Sequence, residues 1–151
     1  MYMNVKINMV SGNNLAELLP LVRAYHEFER LNVSEIEREN SVRRLLSDKS
    51  LGGIWRAYAD TELVGYIALC VGFSIEFSGL DAFVDEFYIR PEYRGKGIGA
   101  KVLELAKVEA KSMGIRALHL EVARTNVKAQ NLYTQAKFKA REKYVLMSVS
   151  L

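Results

Sequence analysis

The strongest constraint on this chain is a glycine-rich turn that joins a predicted strand to a predicted helix. The turn, residues 94–99 with the sequence RGKGIG, follows the apolar run Val84–Ile89 and precedes the amphipathic run Ala100–Met113. Glycine lets the backbone adopt positive φ and approach a ligand closely. The first N–H groups of a helix have no internal partner and favour an anion. The turn therefore predicts a binding site for a phosphate or pyrophosphate.

The spacing of this turn excludes two common phosphate-binding motifs. A Walker P-loop has Ser or Thr directly after its Gly-Lys pair, but Gly97 follows Lys96 here. A dinucleotide fingerprint places Gly-x-Gly-x-x-Gly in an N-terminal βαβ unit, whereas Gly95, Gly97 and Gly99 are evenly spaced in mid-chain. The remaining pattern is Arg94-x-x-Gly97-x-Gly99. Its alternative interpretation is a glycine-rich turn on a basic surface.

A second pattern, Asn126-x-x-Ala129-x-x-Leu132-Tyr133, lies on a helix predicted near the C-terminus. Asn126 and Tyr133 are seven residues apart, which is about two helical turns, so both face one side of the helix. Ala129 lies between them on that side and leaves room for a ligand. The alternative interpretation is that Tyr133 packs on the sheet as an ordinary helix aromatic.

The spacing of apolar residues predicts a single domain over residues 1–151 with the element order β-α-α-β-β-β-α-β-α-β. Capping signals support the helix ends, because Ser34 precedes Glu37 by three residues and Gly114 follows the third helix. Antiparallel strands followed by βαβ units give an α/β fold with a mixed sheet and helices on its faces. The predicted strands are 3–10, 54–59, 62–73, 82–89, 117–122 and 138–150, and the predicted helices are 14–28, 34–46, 97–113 and 126–136.

Together, the two motifs and this order of elements resemble the GNAT superfamily of N-acetyltransferases, in particular its small bacterial members. The resemblance covers nearly the whole chain, with its specific residues between Asp85 and Phe138. It implies the GNAT fold and an enzyme that moves an acetyl group from acetyl-CoA to a primary amine by direct transfer in a ternary complex. An alternative within this fold is an acyl-CoA sensor without turnover.

The resemblance also assigns residues to acetyl-CoA. In the family, the strand before the glycine turn pairs with the pantetheine through its backbone, and the turn wraps the pyrophosphate. In similar enzymes the helix Asn bonds to the cofactor arm, and the Tyr at the position of Tyr133 is a catalytic acid that protonates the leaving thiolate. The implied cofactor-binding residues are Phe87, Tyr88, Ile89, Arg94, Gly95, Lys96, Gly97, Ile98, Gly99, Ala100, Asn126, Ala129 and Tyr133.

One position departs from the family pattern. The family usually has Gly directly before the Phe that follows this helix, but Lys137 precedes Phe138 here. If the position requires positive φ, a lysine there costs roughly 1 kcal/mol. The departure concerns the end of the helix and not the cofactor site.

Three acids are candidates for the catalytic base that removes the proton of the amine. Polyamine acetyltransferases of the superfamily carry two acids at the positions of Asp85 and Glu86, and N-terminal and ribosomal-protein acetyltransferases keep a base at the position of Glu121. Strand alternation predicts that Asp85 and Glu86 lie on opposite faces, with Val84 on the face of Glu86. A salt bridge to Arg or Lys is the alternative role for each acid, and a relaying water is the alternative base.

The acceptor pocket is assigned to elements that often line it in this fold. Tyr25 and His26 on the first helix, Glu76 in a loop and Asp85 on its strand are the candidate substrate-binding residues. A surface position on the helix is the alternative interpretation of His26. Cys70 lies within an apolar strand, so we interpret it as a small core residue and not as an acyl-enzyme nucleophile.

The charge of the chain is divided unevenly. Residues 1–89 carry eight Lys and Arg against thirteen Asp and Glu, whereas residues 90–151 carry thirteen against five. A basic part suits the phosphates of coenzyme A, and an acidic part suits a small cationic amine such as a polyamine, an aminoglycoside or an amino acid. A protein N-terminus or lysine is the alternative acceptor. Nucleic acid is not expected, because no aromatic stacking set accompanies the basic residues.

The sequence also predicts a cellular context and an assembly. Cys70 is the single cysteine, and the chain has no secretory signal and no apolar run of membrane length, so we expect a cytoplasmic protein that does not bind a membrane. No spacing of His, Cys or acids indicates a metal site. The apolar segment Tyr144–Leu151 is a candidate interface for a homodimer.

Overall fold

The chain forms a five-stranded sheet with two helices packed on each face, in a computed structural model that describes residues 2–151. The mixed α/β fold predicted from the sequence is confirmed. The strands are β1 (Val5–Met9), β2 (Gly52–Ala59), β3 (Glu62–Ser74), β4 (Gly79–Ile89) and β5 (Ala117–His119). The helices are α1 (Leu15–Phe28), α2 (Glu35–Ser47), α3 (Ile98–Ser112) and α4 (Val127–Gln135), and 3₁₀ turns occupy Gly12–Asn14 and Pro91–Tyr93.

The strands lie in the sheet in the order of the sequence. Strands β1 to β4 pair antiparallel with their neighbours, whereas β5 pairs parallel to β4. The parallel pairing is short and runs only from Asp81 opposite Ala117 to Phe83 opposite His119. Beyond Phe83 the two strands separate, and this separation creates the space in which the candidate site lies.

Two apolar clusters, one on each face of the sheet, hold the helices in place. On one face, α1 and α2 cover a cluster that includes Tyr66 and Tyr88 of the sheet. On the other face, α3 and α4 cover a cluster that includes Trp55 and Ile67. Each fully buried side chain of this size contributes roughly 1.5–3 kcal/mol of burial free energy. The helices are therefore fixed on the sheet by packing on both sides.

The helix-end signals of the sequence are confirmed. Glu37 N donates to Ser34 Oγ at 3.3 Å and Ser34 N donates to Glu37 Oε2 at 2.9 Å, which is the capping box at the start of α2. Gly114 follows α3 with φ of +79° and ends it. None of the helices within residues 2–151 is long and apolar enough to span a bilayer.

Helix α4 ends in a left-handed residue that is not glycine. Lys137 has φ of +73°, and the N–H of Phe138 donates to the carbonyl of Tyr133 at 2.9 Å, as in a Schellman motif. The position where the family usually has glycine therefore does adopt positive φ here. For a residue with a Cβ this conformation costs about 1 kcal/mol or more.

Replacing Lys137 by glycine is expected to stabilise the protein. Because Lys137→Gly removes the Cβ from a left-handed position, we expect the free energy of unfolding to rise by about 1 kcal/mol in chemical denaturation. Lys139→Gly is the matched control, since Lys139 is exposed and has no positive φ. It is expected to leave the stability unchanged or to lower it. An equal change in both variants would contradict this account of the helix end.

The strand predicted over residues 138–150 is wrong. No strand or helix follows α4 within the described chain, and the apolar side chains of the tail are exposed, with Met147 at 88% and Val149 at 82% of full exposure. An alternating apolar pattern marks a segment that can join a sheet, but it does not supply the neighbouring strand that its backbone groups need. The strand predicted over residues 117–122 is too long, because β5 ends at His119 where it leaves β4.

Candidate active site

The candidate site is a cleft of about 1090 Å³ between the diverging strands β4 and β5. The second half of β4 forms one wall, and the segment Leu120–Ala123 that continues from β5 forms another. The glycine turn before α3, the first turns of α4 and the last turn of α1 complete the lining. Segments that are far apart in the sequence therefore meet at one cavity.

A β-bulge shapes the wall that β4 contributes. Glu86 pairs with Ala68 and Val84 pairs with Leu69, which leaves Asp85 without a partner on β3. The extra residue shifts the alternation of β4, so Val84 packs into the cluster under α3 and does not share a face with Glu86. The alternation predicted from the sequence is therefore wrong for Val84. The unpaired residue, Asp85, lines the cleft.

The glycine turn presents open backbone to the cleft. Gly95 and Gly97 have φ of +72° and +78°, and no atom lies within 4 Å of the position that a Cβ would take at either residue. Helix α3 makes its first backbone hydrogen bond from Lys101 N to Gly97 O, at 3.2 Å. The N–H groups of residues 98–100 precede that bond, so they are free of the helix ladder. This concave, donor-rich backbone fits a phosphate group.

Gly99 has a different role from the two left-handed glycines. A Cβ at Gly99 would lie 3.4 Å from Leu132 Cδ2 and 3.7 Å from Phe87 Cζ. The absence of a side chain therefore lets the start of α3 approach α4 and β4 closely. This approach brings the two predicted motifs to the same cleft, where Ala100 also lies.

Arg94 is held against the end of β4. Its Nε donates to the carbonyl of Ile89 at 2.7 Å. Its guanidinium lies over the rings of Phe28, at 5.0 Å, and Tyr88, at 5.4 Å, measured to the ring centroids. The charge of Arg94 is therefore positioned at the cleft beside the glycine turn.

Two residues of the turn do not line the cleft with their side chains. Lys96 places its Nζ over the ring of Tyr93, 5.5 Å from the centroid. Ile98 is buried in the cluster under α3. In this arrangement Lys96 and Ile98 present their backbone, and not their side chains, to the cleft.

The motif on α4 faces the cleft as predicted. Asn126 is the N-cap of α4, and its Oδ1 accepts a hydrogen bond from Ala129 N at 3.2 Å. The side-chain NH₂ of Asn126 is not used by this cap and can donate to a ligand. Asn126, Ala129 and Tyr133 all line the cleft. The helical spacing read from the sequence is thus present in the structure.

Tyr133 is half-buried, and its ring packs against Phe138 with 6.0 Å between the centroids. Burial raises the pKa of Tyr133, and the negative charge of Glu29 raises it further. The hydroxyl therefore stays protonated at neutral pH and can donate a proton or a hydrogen bond within the cleft.

The structure separates the three candidate acids. Asp85 and Glu121 are exposed and line the cleft from opposite walls. Glu121 lies beyond the end of β5, although the sequence predicted it within a strand. Glu86 does not line the cleft. Its carboxylate accepts hydrogen bonds from Tyr66 and from His26 behind the cleft wall.

The four predicted acceptor residues also divide into two groups. Tyr25 and Asp85 line the cleft, whereas His26 and Glu76 do not. His26 is buried against Glu86, so a surface position is wrong as well. Glu76 is exposed in the loop after β3 and forms an ion pair with Arg141, with 3.0 Å between Oε1 and Nη2.

Several residues that line the cleft were not among the predicted site residues, and two of them, Phe28 and Glu29, lie at the end of α1. Glu29 follows Tyr25 by four residues, so both project from one side of the helix end. Burial raises the pKa of Tyr25, and the charge of Glu29 raises it further. The four-residue spacing from Tyr25 was the available signal for Glu29.

Cys70 has the properties of a structural thiol. It is half-buried on β3, and burial together with the charges of Asp85 and Glu86 raises its pKa to about 11. Only a thiolate is an effective nucleophile, so this cysteine is poorly suited to form an acyl-enzyme. The raised pKa supports the interpretation that Cys70 is not an acyl-enzyme nucleophile, but the half-buried side chain belongs to neither apolar cluster and is not a core residue.

Comparison with known proteins places the cleft in a family context. The model of the Acetyltransferase (GNAT) family matches residues 15–138, which include both motifs and all the lining segments. An uncharacterised N-acetyltransferase of Archaeoglobus fulgidus is 31% identical over 131 residues, covering 83% of this chain and 89% of the relative.

Two further relatives are informative. The crystal structure of an integron cassette protein from the mobile metagenome of Cole Harbour Salt Marsh superposes with a TM-score of 0.83 at 31% identity, over 95% of this chain and 89% of that chain. The thialysine N-epsilon-acetyltransferase of Bos taurus is 34% identical over 71 residues, which is 47% of this chain and 41% of the relative.

Proposed function

Because this chain belongs to the GNAT family of acetyltransferases, we propose that it transfers the acetyl group of acetyl-CoA to the primary amine of a small cationic molecule. The chain as a whole is proposed to act as one acetyltransferase domain. The observation that carries the proposal is the cleft itself, which joins an open glycine turn and Arg94 to a rim that bears Glu29, Asp85 and Glu121. The glycine turn with Arg94 suits an anionic cofactor, and the acidic rim suits a cationic acceptor.

The residues of the glycine turn fit the pyrophosphate of coenzyme A. In the proposed complex, the open backbone at Gly95 and Gly97 and the free N–H groups at the start of α3 bind the phosphates, and Arg94 adds positive charge. The backbone of residues 87–89 pairs with the pantetheine arm, and the side-chain NH₂ of Asn126 donates to it. Acetyl-CoA supplies the acetyl group as a thioester.

Proton transfer is assigned to two residues of the cleft. An alkyl ammonium group has a pKa near ~10, so the acceptor must lose a proton before it can attack. We propose that Asp85, exposed at the bulge, accepts this proton directly or through water, with Glu121 as the competing candidate. A backbone N–H of β4 donates to the acetyl carbonyl oxygen. Tyr133 then donates its hydroxyl proton to the departing sulfur.

The choice of a small cationic amine rests on the charge of the rim. Glu29, Asp85 and Glu121 are all exposed at the cleft, and Tyr25, Phe28 and Tyr133 provide aromatic surface beside them. Carboxylates and aromatic faces both attract ammonium groups. The relative named for acetylation of the ε-amine of thialysine supports an acceptor of this kind.

Release of free thiol from acetyl-CoA tests the proposed function. The panel of acceptors is spermidine, an aminoglycoside, lysine, and a peptide with a free N-terminus. Thiol release with a small cationic amine supports the proposal and identifies the acceptor class. Release only with the peptide would replace the small amine by a protein acceptor. No release with any acceptor, together with a higher melting temperature in acetyl-CoA, would favour a sensor.

We also propose that the tail, residues 144–151, forms the interface of a homodimer. Its apolar side chains are exposed, and so large an unpaired apolar segment is unusual for a monomer. We expect the protein to sediment as a dimer and a Val145→Lys/Met147→Lys double variant to sediment as a monomer. Ile36→Lys is the matched control, because Ile36 is equally apolar and is 74% exposed on α2. A monomer at every concentration would contradict the proposed interface.

A further inference from the structure

A chain of side-chain hydrogen bonds lies behind the β4 wall of the cleft. Arg38 Nε donates to His26 Nδ1 at 3.2 Å, and His26 Nε2 lies 2.5 Å from Glu86 Oε2. Tyr66 OH donates to the other carboxylate oxygen of Glu86, at 2.9 Å. Arg38 and His26 are only 6% and 7% exposed. We call Arg38, His26, Glu86 and Tyr66 the buried chain.

The direction of each hydrogen bond in the buried chain follows from Arg38. A guanidinium can only donate, so Nδ1 of His26 must accept and carries no proton. The proton of the neutral ring is then on Nε2, which donates to Glu86. Glu86 therefore accepts two hydrogen bonds, one from each side. Burial raises the pKa of Glu86, while the bonds from His26 and Tyr66 oppose that rise.

The surroundings of the buried chain explain how its charges balance. Arg38 also donates from Nη2 to the carbonyl of Val33 at 3.0 Å, and its Nη1 lies 3.1 Å from Glu35 Oε1 on α2. The other titratable groups nearby are Tyr25 on α1, Asp85 on β4 and Cys70 on β3. Arg38 thus faces the carboxylate of Glu35 and the ring of His26, and Glu86 is partnered on both oxygens.

The buried chain connects elements that carry cleft residues. His26 directly follows Tyr25 of the cleft, and Glu86 directly follows Asp85 at the bulge. Within residues 2–151, the bond between His26 and Glu86 is the only side-chain hydrogen bond between α1 and β4. It therefore adds a specific polar link, besides the apolar packing, between two walls of the acceptor region.

We propose that His26 is a positioning residue, which holds Glu86 and thereby fixes Asp85 and Tyr25 for the acceptor amine. The inference rests on the proposed function. It gives Glu86 a positioning role, so the catalytic base is one of the acids that line the cleft, Asp85 or Glu121. The buried chain acts through the two walls of the cleft and touches neither acetyl-CoA nor the reacting nitrogen. Its loss should affect the handling of the amine and leave the binding of acetyl-CoA intact.

Two substitutions of His26 separate positioning from simple packing. The amide of His26→Gln can accept from Arg38 and donate to Glu86, whereas His26→Leu can do neither. We expect His26→Leu to lower kcat/KM for the amine by about tenfold or more, with the KM for acetyl-CoA unchanged. We expect His26→Gln to retain most of kcat/KM. Val22→Ala, another buried substitution in α1, controls for a general loss of stability.

The pH dependence of Glu86→Gln tests the role of Glu86. If Glu86 holds the wall, the variant loses rate but keeps the acidic limb of the pH profile of kcat/KM, because the base is elsewhere. Disappearance of that limb would make Glu86 the base and overturn the inference. An unchanged kcat/KM in His26→Leu, or an equal loss in His26→Gln and His26→Leu, would also overturn it.

A spectroscopic readout keeps this test separate from the test of activity. The chain has two histidines, so imidazole ¹⁵N spectra contain two sets of ring signals, and His119→Asn identifies those of His26. We expect His26 to be the Nε2–H tautomer in the wild type, because Arg38 donates to Nδ1 and Glu86 accepts from Nε2. A mixture of tautomers in the wild type would overturn the inference. A wild type without turnover would overturn the proposed function, whatever the tautomer of His26.

Discussion

Tyr133→Phe is expected to lower kcat by about a hundredfold or more and to leave the affinity for acetyl-CoA unchanged. The substitution removes only the hydroxyl that is assigned to protonate the departing thiolate, and the ring still packs on Phe138. Steady-state kinetics and calorimetric binding of acetyl-CoA measure the two quantities. Tyr58→Phe is the matched control, because Tyr58 on β2 does not line the cleft.

The protonation state of Tyr133 also predicts how the rate of the wild type depends on pH. Burial and the charge of Glu29 raise the pKa of Tyr133 above its ordinary value, so the acid form persists as the pH rises. The rate should therefore increase with pH as the acceptor amine deprotonates, without an alkaline loss below about pH 10. A Tyr133→Phe variant with wild-type kcat would contradict the assignment of the Tyr133 hydroxyl as the catalytic acid. Weakened binding of acetyl-CoA in this variant would contradict it as well.

Gly97→Ala is expected to weaken the binding of coenzyme A by about tenfold or more. The φ of Gly97 is +78°, and a Cβ there costs about 1–2 kcal/mol. Relief of that strain turns the peptide groups that are proposed to bind the pyrophosphate. Calorimetric titration with coenzyme A measures the loss, and melting temperatures measure the accompanying loss of stability.

Gly114→Ala provides a matched control for the glycine turn. Gly114 has φ of +79° and, like Gly97, has no atom within 4 Å of the position that a Cβ would take, but it ends α3 away from the cleft. Both variants should lose similar stability, and only Gly97→Ala should lose affinity for coenzyme A. Equal affinity for coenzyme A in the two variants would show that the glycine turn does not bind the cofactor.

Features set by local chemistry were predictable from the sequence. The glycines of the turn, the capping box at Ser34 and the end of α3 at Gly114 each depend on a residue with a distinct conformational preference. The face shared by Asn126 and Tyr133 follows from helical spacing alone. These local signals located the two motifs, whereas the other predicted cleft residues were assigned from the resemblance to the GNAT superfamily.

Features set by pairing between distant segments were not predictable. The bulge at Asp85 depends on how β4 aligns with β3, so period-two alternation assigned Val84 to the wrong face. The bond between His26 and Glu86 joins residues sixty positions apart, and neither residue type indicates its partner. The tail after Phe138 has the apolar content of a strand, but no strand edge within the described chain receives it.

Mass spectrometry of a complete reaction mixture tests the central claim most directly. The mixture contains the protein, acetyl-CoA and the amine that gives the fastest thiol release. The account predicts one acetylated amine for each coenzyme A that is freed, and no release without the amine. Freed coenzyme A without an acetylated amine, or neither product with any amine of the panel, would contradict the assignment of the cleft as an N-acetyltransferase site.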